Sequence, residues 1–281
     1  MNWLITIVLF LIVGIVLDRE IYFYEGAHLG PRLQAWLYDR WSKNYDEGKR
    51  SSQLHDDEML ARPLLEVLNA RRVSEPFILD FATGTGRLSH SLVNRGEFKG
   101  SLIALDLSQG MLEQAAAKLK PASAVRQNVE FLRHRSLALP FPDAAFDAVC
   151  ALEVLEHFPN MDTPLAELSR VLRPGGILLT SRGTEESGRK AMIKTTSEFL
   201  SLLEKNGWQQ IQITPWWKFY DRVLAVKHGS SQPVTAKRLS EVLTCSSCKA
   251  IDWERRSSAL KCQTCEKELF ITQEEIVLNE A

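Results

Sequence analysis

The stretch Phe77-Ile-Leu-Asp80-Phe-Ala-Thr83-Gly84-Thr-Gly86-Arg-Leu-Ser89 constrains this chain more than any other. An apolar run stops at a carboxylate, breaks into glycines and gives way to an amphipathic segment, the order expected of strand, tight turn and helix. Glycine admits backbone angles and close approaches that a Cβ blocks, and the first amides of the helix point back at the turn. Such a turn reads as a nucleotide-type cofactor site. The dinucleotide fingerprint needs a third glycine, whereas Ser89 stands three residues after Gly86. Asp80 also sits badly beside a pyrophosphate and suits a ligand carrying positive charge. Twenty residues past Gly86, Ala104-Leu-Asp106-Leu107-Ser ends a second strand in an acid placed for ribose hydroxyls.

With these motifs the chain resembles the class I S-adenosylmethionine-dependent methyltransferases, in particular the group that contains the quinone-ring methyltransferases. The resemblance continues through Leu139-Pro-Phe-Pro-Asp-Ala-Ala-Phe-Asp147-Ala-Val, Leu152-Glu153-Val-Leu-Glu156-His157 and Val171-Leu-Arg-Pro-Gly-Gly176-Ile-Leu-Leu, covering roughly residues 32–228. It implies an α/β fold with a doubly wound, mostly parallel, seven-stranded Rossmann-like sheet. It also implies S-adenosylmethionine held by Asp80, Thr83, the Gly84 and Gly86 backbone, Asp106, Leu107, Met111, Ser136, Leu137 and Glu153. Similar proteins often carry an Asp after the third strand. Here Arg135-Ser136-Leu137 stands instead, which leaves adenine to backbone amides and Ser136.

Along the chain, residues 25–75 read as a helical cap and residues 76–228 as the cofactor-binding domain. Tyr45 either closes over the methionine end of the cofactor or only packs. Alternation continues with helix Leu88–Asn94, strand Ser101–Leu105, helix Gln109–Leu119 capped by Ser108, strand Asn128–His134 and strand Ala145–Leu152. The last delivers Glu153 to the carboxyl edge of the sheet, where ligands collect. His157 is the candidate catalytic residue, since its pKa suits proton transfer. Methyl transfer from a sulfonium needs mainly alignment and desolvation, so the alternative is a structural role closing the turn. Cys150 reads as a small buried hydrophobe.

Helix Thr163–Leu172 stops at Arg173-Pro-Gly-Gly176 before strand Ile177–Ser181, and Arg182–Lys190 is a charged linker. Helix Thr196–Asn206 and the antiparallel strands Gln209–Thr214 and Asp221–Lys227 finish the domain. Between those strands, Pro215-Trp-Trp-Lys-Phe-Tyr220 is either an exposed apolar patch or packing against the last helix.

The two ends add further expectations. Trp3–Leu17 is uncharged and apolar or small, at the lower limit for a membrane span. With no basic start, and Asp18-Arg-Glu following directly, residues 1–24 read as an uncleaved single-pass anchor. Tyr22, Phe23 and Tyr24 would form an interfacial belt, and Arg19, Arg32, Arg40 and Lys43 bias the catalytic side to the cytoplasm. The alternative is a helix packed on the enzyme. At the other end, residues 229–240 form a linker to a module at 241–281 carrying Cys245-Ser-Ser-Cys248 and Cys262-Gln-Thr-Cys265. Two such knuckles thirteen residues apart suit tetrahedral Zn2+. The pattern resembles the zinc ribbon of the small activator subunits that partner translation-factor and RNA methyltransferases.

Charge limits the partners. The chain has 34 basic and 35 acidic side chains, and the ribbon from Lys237 onward has seven and eight. Nothing here favours a polyanion, so nucleic acid is disfavoured and the ribbon is expected to dock on its own domain or on a protein. A lipophilic small molecule is the expected acceptor. RNA or a translation-apparatus protein is the alternative, and a non-catalytic membrane scaffold with a degenerate pocket a third.

Overall fold

The computed structural model describes residues 2–119, 129–187 and 193–279. Met1, the start of the third strand at Asn128, the linker residues 188–190 and the last two positions of the expected ribbon lie outside them. The chain runs α1 (Asn2–Asp18), α2 (Pro31–Gln53), α3 (Arg62–Ala70), β1 (Phe77–Phe81), α4 (Arg87–Val93), β2 (Ser101–Asp106), α5 (Gln109–Leu119), β3 (Val129–His134) and β4 (Phe146–Ala151). It continues through α6 (Asp162–Val171), β5 (Leu172–Gly183), α7 (Thr196–Lys205), β6 (Trp208–Trp217), β7 (Tyr220–Lys227), β8 (Trp253–Arg255), β9 (Ala259–Cys262), β10 (Glu268–Phe270) and β11 (Ile276–Asn279).

The main sheet has eight strands, not seven, in the order β11-β3-β2-β1-β4-β5-β7-β6. Strands β11 to β5 are parallel, and β7 runs antiparallel to both β5 and β6. Side chains alternate across β1, so Phe77, Leu79 and Phe81 enter one core while Ile78 enters the other. All five β1 residues are buried because helices cover both faces. This leaves the carboxyl edge of β1, β2, β3 and β4 as the place where polar side chains can gather.

One expectation changes here. The segment Arg173-Pro-Gly-Gly176 is strand from Leu172 onward, because the β4–β5 register shifts between Phe146 and Ala148 and absorbs the irregularity. The linker is stitched down. Val234 N and Phe77 N donate to buried Asp147, and Arg173 donates to Asp147 Oδ1 and to the Ser231 carbonyl. The ribbon packs on the main domain. Its sheet β10-β9-β8 packs Trp253, Leu260 and Leu269 into the same core as Leu165 and Leu168 of α6. Its last strand then crosses to the main sheet, Ile276 pairing with Phe131 and Asn279 with His134.

The aromatic turn packs: Trp216 and Tyr220 are buried, and the Tyr220 hydroxyl donates to Glu156. Cys150 is fully buried, and burial pushes its thiol well above its ordinary range. At the other end α1 is 17 residues, about 26 Å at 1.5 Å per residue, against roughly 30 Å of bilayer hydrocarbon. No helix among the described residues is long and apolar enough to cross a membrane, which corrects the expectation of a spanning anchor. The packed-helix alternative does not hold either. Trp3, Phe10, Leu11 and Ile15 are each more than half exposed, and the large apolar side chains from Ile5 to Leu17 are exposed on all sides.

Arg173 and Asp147 are 5% and 0% exposed, so Arg173→Met leaves a buried carboxylate without its cation. The expected cost is about 3–5 kcal/mol, read as a lower urea midpoint with an unchanged slope.

Candidate active site

The glycine turn folds as it does because of two backbone positions. Gly84 and Gly86 have φ of 57° and 75°, and a Cβ on Gly86 would lie 2.8 Å from the Ala115 Cβ. Gly86 therefore lets α4 and α5 approach, and it stands outside the cavity lining. Thr83 N donates to the Leu105 carbonyl and Gly84 N donates to Asp106 Oδ2 at 2.8 Å, tying the turn after β1 to the end of β2. Ser108 N donates to Asp106 Oδ1, and the Ser108 hydroxyl accepts from Met111 N at the start of α5.

Asp80 and Asp106 end neighbouring strands and are buried, 3% and 6% exposed. Asp80 Oδ2 accepts from the hydroxyls of Thr83 at 2.6 Å and Ser89 at 2.8 Å. Burial raises both carboxyls to about 6; the Thr83 and Ser89 hydroxyls oppose it at Asp80, the Ser108 and Gly84 amides at Asp106. Neither acid has an ion-pair partner among the described residues. Two buried carboxylates short of positive charge fit a ligand that brings a cation to one and hydroxyl donors to the other.

They border a cavity of about 300 Å³. Of the expected cofactor residues, Asp80, Thr83, Gly84, Asp106, Leu107, Met111, Ser136, Leu137 and Glu153 all line it. Glu153 differs in one respect: its carboxylate is engaged by Arg87 Nη1 at 2.7 Å and by Lys49 Nζ. Arg87 is held in turn by both oxygens of Asp56, each at 2.7 Å, and lies over the Trp216 ring. Sequence reasoning missed this array, whose members come from α2, the turn before α3, α4 and the end of β4. The acidic pair Asp56-Asp57 and the lone Arg87 after the glycines were the available signals.

The roof comes from the N-terminal helices. Tyr38 and Tyr45 line the cavity, their rings 6.4 Å apart, and burial holds the Tyr45 phenol up at about 12. The Tyr38 hydroxyl donates to Glu25 Oε2 at 2.5 Å, and the same oxygen lies 3.5 Å from His157 Nε2. The His157 side chain is 8% exposed and lines the cavity, and its Nδ1 has no hydrogen-bond partner among the described residues. Tyr38 and Glu25 were not foreseen. His134 also lines the cavity, at the end of β3.

Residues 79–180 match the family described as "Methyltransferase domain". The matched segment holds the glycine turn, both strand-end acids and Glu153. It is similar to a demethylmenaquinone methyltransferase of Lactococcus lactis, 42% identical over 35% of this chain and 38% of that protein. A demethylmenaquinone methyltransferase of Lactobacillus johnsonii is 27% identical over 74% of this chain and 81% of its own length. The chain thus spans well under half of the first relative and most of the second. Among solved structures, an S-adenosylmethionine-dependent methyltransferase from Aquifex aeolicus superposes with a TM-score of 0.53 at 23% identity, covering 67% of this chain and 97% of its own, a likeness of fold.

The second candidate centre is the cysteine cluster. The four Sγ atoms lie within 4.8 Å of one another, with Cys245–Cys265 and Cys248–Cys262 at 3.6 Å. Four thiolates about 2.3 Å from one zinc ion stand roughly 3.8 Å apart, so the donor set and its spacing fit that metal. Burial opposes ionisation of Cys245, but the amides of Cys248 and Ser247 together with the Cys265 and Cys248 thiols bring its pKa down to about 7.

The two strand-end acids set a pH test. Because folding raises the Asp80 pKa from 3.8 to about 6, the ligand-free fold binds more protons than the unfolded chain between those values. Its contribution to stability therefore falls as pH rises through that window. Asp80→Asn removes the charge and is expected to be more stable than the parent at pH 8 by roughly 3 kcal/mol, the difference closing toward pH 4. Urea unfolding at the two pH values measures it.

Proposed function

We propose that this chain is an S-adenosylmethionine-dependent methyltransferase whose acceptor is a lipophilic, quinone-type small molecule. The observation that carries the reading is the pair of buried, cation-free carboxylates Asp80 and Asp106 on one cavity, inside a segment that matches the methyltransferase family. The quinone class follows from the names of the relatives, which are demethylmenaquinone methyltransferases.

When bound, the cofactor supplies a methyl group on a positively charged sulfur for direct displacement. Asp106 keeps lone pairs beyond those taken by Gly84 N and Ser108 N and can accept the ribose hydroxyls. Asp80 offsets the positive charge. Ser136, Leu137 and the nearby backbone face the base, and Leu107 and Met111 wall its ribose end. Tyr38, Tyr45 and the helical cap exclude water, which strengthens every charge interaction inside and aligns the reactants. His157, which lines the cavity, is the chain's proton acceptor for a ring hydroxyl or ring carbon of the acceptor.

The cysteine cluster is read as a structural Zn2+ site. The exposed α1, apolar on every side, is read as a hydrophobic anchor on a membrane, with the basic residues Arg19, Arg32, Arg40 and Lys43 toward the cytoplasm. That location would bring a lipophilic acceptor to the cap. The mixed charge of the ribbon lends the RNA alternative no support.

Calorimetry with S-adenosylhomocysteine is expected to show one site per chain, lost in Asp106→Ala. Absence of binding by the parent chain would sink the reading. With a demethylated quinone as acceptor, His157→Ala is expected to lower kcat by about 10²–10⁴-fold while leaving cofactor affinity within twofold. Deleting residues 1–24 should abolish sedimentation with anionic lipid vesicles; retention of vesicle binding would remove the anchor from the account.

A further inference from the structure

We infer that the four-cysteine module braces the cofactor pocket from behind its lining, and that Asn279, on its last strand, is the positioning residue that sets the pocket end formed by residues 134–138. The inference rests on the reading of the cavity as the adenosyl cofactor's site.

The geometry begins with His134. It is 3% exposed, ends β3 and lines the cavity together with Arg135, Ser136 and Leu137. Its Nε2 lies 2.9 Å from the Ala138 carbonyl oxygen, which can only accept, so Nε2 carries the proton. Nδ1 is then an acceptor, and the Asn279 amide Nδ2, 3.3 Å away, is its donor. The imidazole therefore spans the base of the loop 135–138 as a strut with both ends tied. One tie is inside the loop and the other comes from a strand 145 residues away. Asn279 is itself 4% exposed and held in register opposite His134 by the β11–β3 ladder.

A second contact braces the far side of the same loop. Thr244 N, adjacent to Cys245, donates to the Pro140 carbonyl at 2.7 Å. Trp253 Nε1 donates to the Leu243 carbonyl at 2.7 Å, which fixes the segment that carries Thr244. Just before the module, Leu239 N donates to Glu130 on β3 at 2.6 Å. The loop that forms one end of the pocket is thus clamped between β11 and the first knuckle. A free ring at His134 could take the other tautomer, and the loop would then have to be ordered by the ligand at the cost of affinity.

Asn279→Leu keeps the approximate volume and removes the donor. In the zinc-loaded protein, calorimetry with S-adenosylhomocysteine is expected to show a dissociation constant raised about tenfold. The cofactor KM should rise likewise, with kcat within twofold of the parent. Imidazole 15N spectra should show the Nε2-protonated tautomer of His134 in the parent and a tautomer mixture in the variant. A folded variant with parent-like affinity, or a parent spectrum showing Nδ1 protonated, would overturn the inference while leaving the functional reading intact. If the variant does not fold, hydrogen exchange on the parent decides. Amides 276–279 should slow when S-adenosylhomocysteine binds, and protection confined to the Gly84 turn would count against the inference. A parent that binds no adenosyl ligand would overturn both.

Discussion

Two carboxylates placed at the ends of neighbouring parallel strands, shielded from water and held by hydroxyls and amides, set the terms for the rest of this molecule. Charges so placed are costly without a partner, and no cation among the described residues partners them. The parallel sheet makes the placement possible, because β1 and β2 point their carboxyl ends the same way and covering helices bury both. The glycine turn makes it specific, since its amide donates to Asp106 and its threonine to Asp80. A fold that keeps two acids raised toward neutrality holds back stability that binding can return.

Around that centre the molecule balances its other charges internally. Arg87 joins Asp56 to Glu153, and Lys49 closes the array on the same Glu153. These pairs are largely buried, so they specify how the helical cap sits on the sheet more than they add to stability. Tyr38 on α2 and Glu25 in the segment that joins α1 to α2 add a further link, reaching toward His157.

How much of this could be read from the residues depends on the distance over which each feature is encoded. Asp80, Gly84 and Asp106 were legible because strand, turn and helix follow one another within one βαβ unit, where pattern and spacing suffice. The Arg87 array was not, since its partners lie 31, 66 and 104 residues apart along its links. Pro215-Trp-Trp-Lys-Phe-Tyr220 allowed either an exposed patch or packing, and only the surrounding elements bury Trp216 and Tyr220. Ile276-Val-Leu-Asn279 is too short to declare a partner, and its nearness to the cysteines assigned it to the ribbon. The apolar run at 3–17 was legible as apolar, but its helical length falls below a span.

The eighth strand also bears on how the chain avoids its own kind. Without β11, the edge of the main sheet would be β3, six residues with a full row of unpaired amides and carbonyls, a template for pairing with another molecule. β11 covers that row and offers a four-residue edge in its place, joined to a module that the cysteines hold compact. Its residues follow β3 by some 145 positions, so during synthesis the β3 edge stands open while the intervening chain is made. A product truncated before β11 would keep it open. Aggregation, before loss of catalysis, is the failure to which this architecture is exposed.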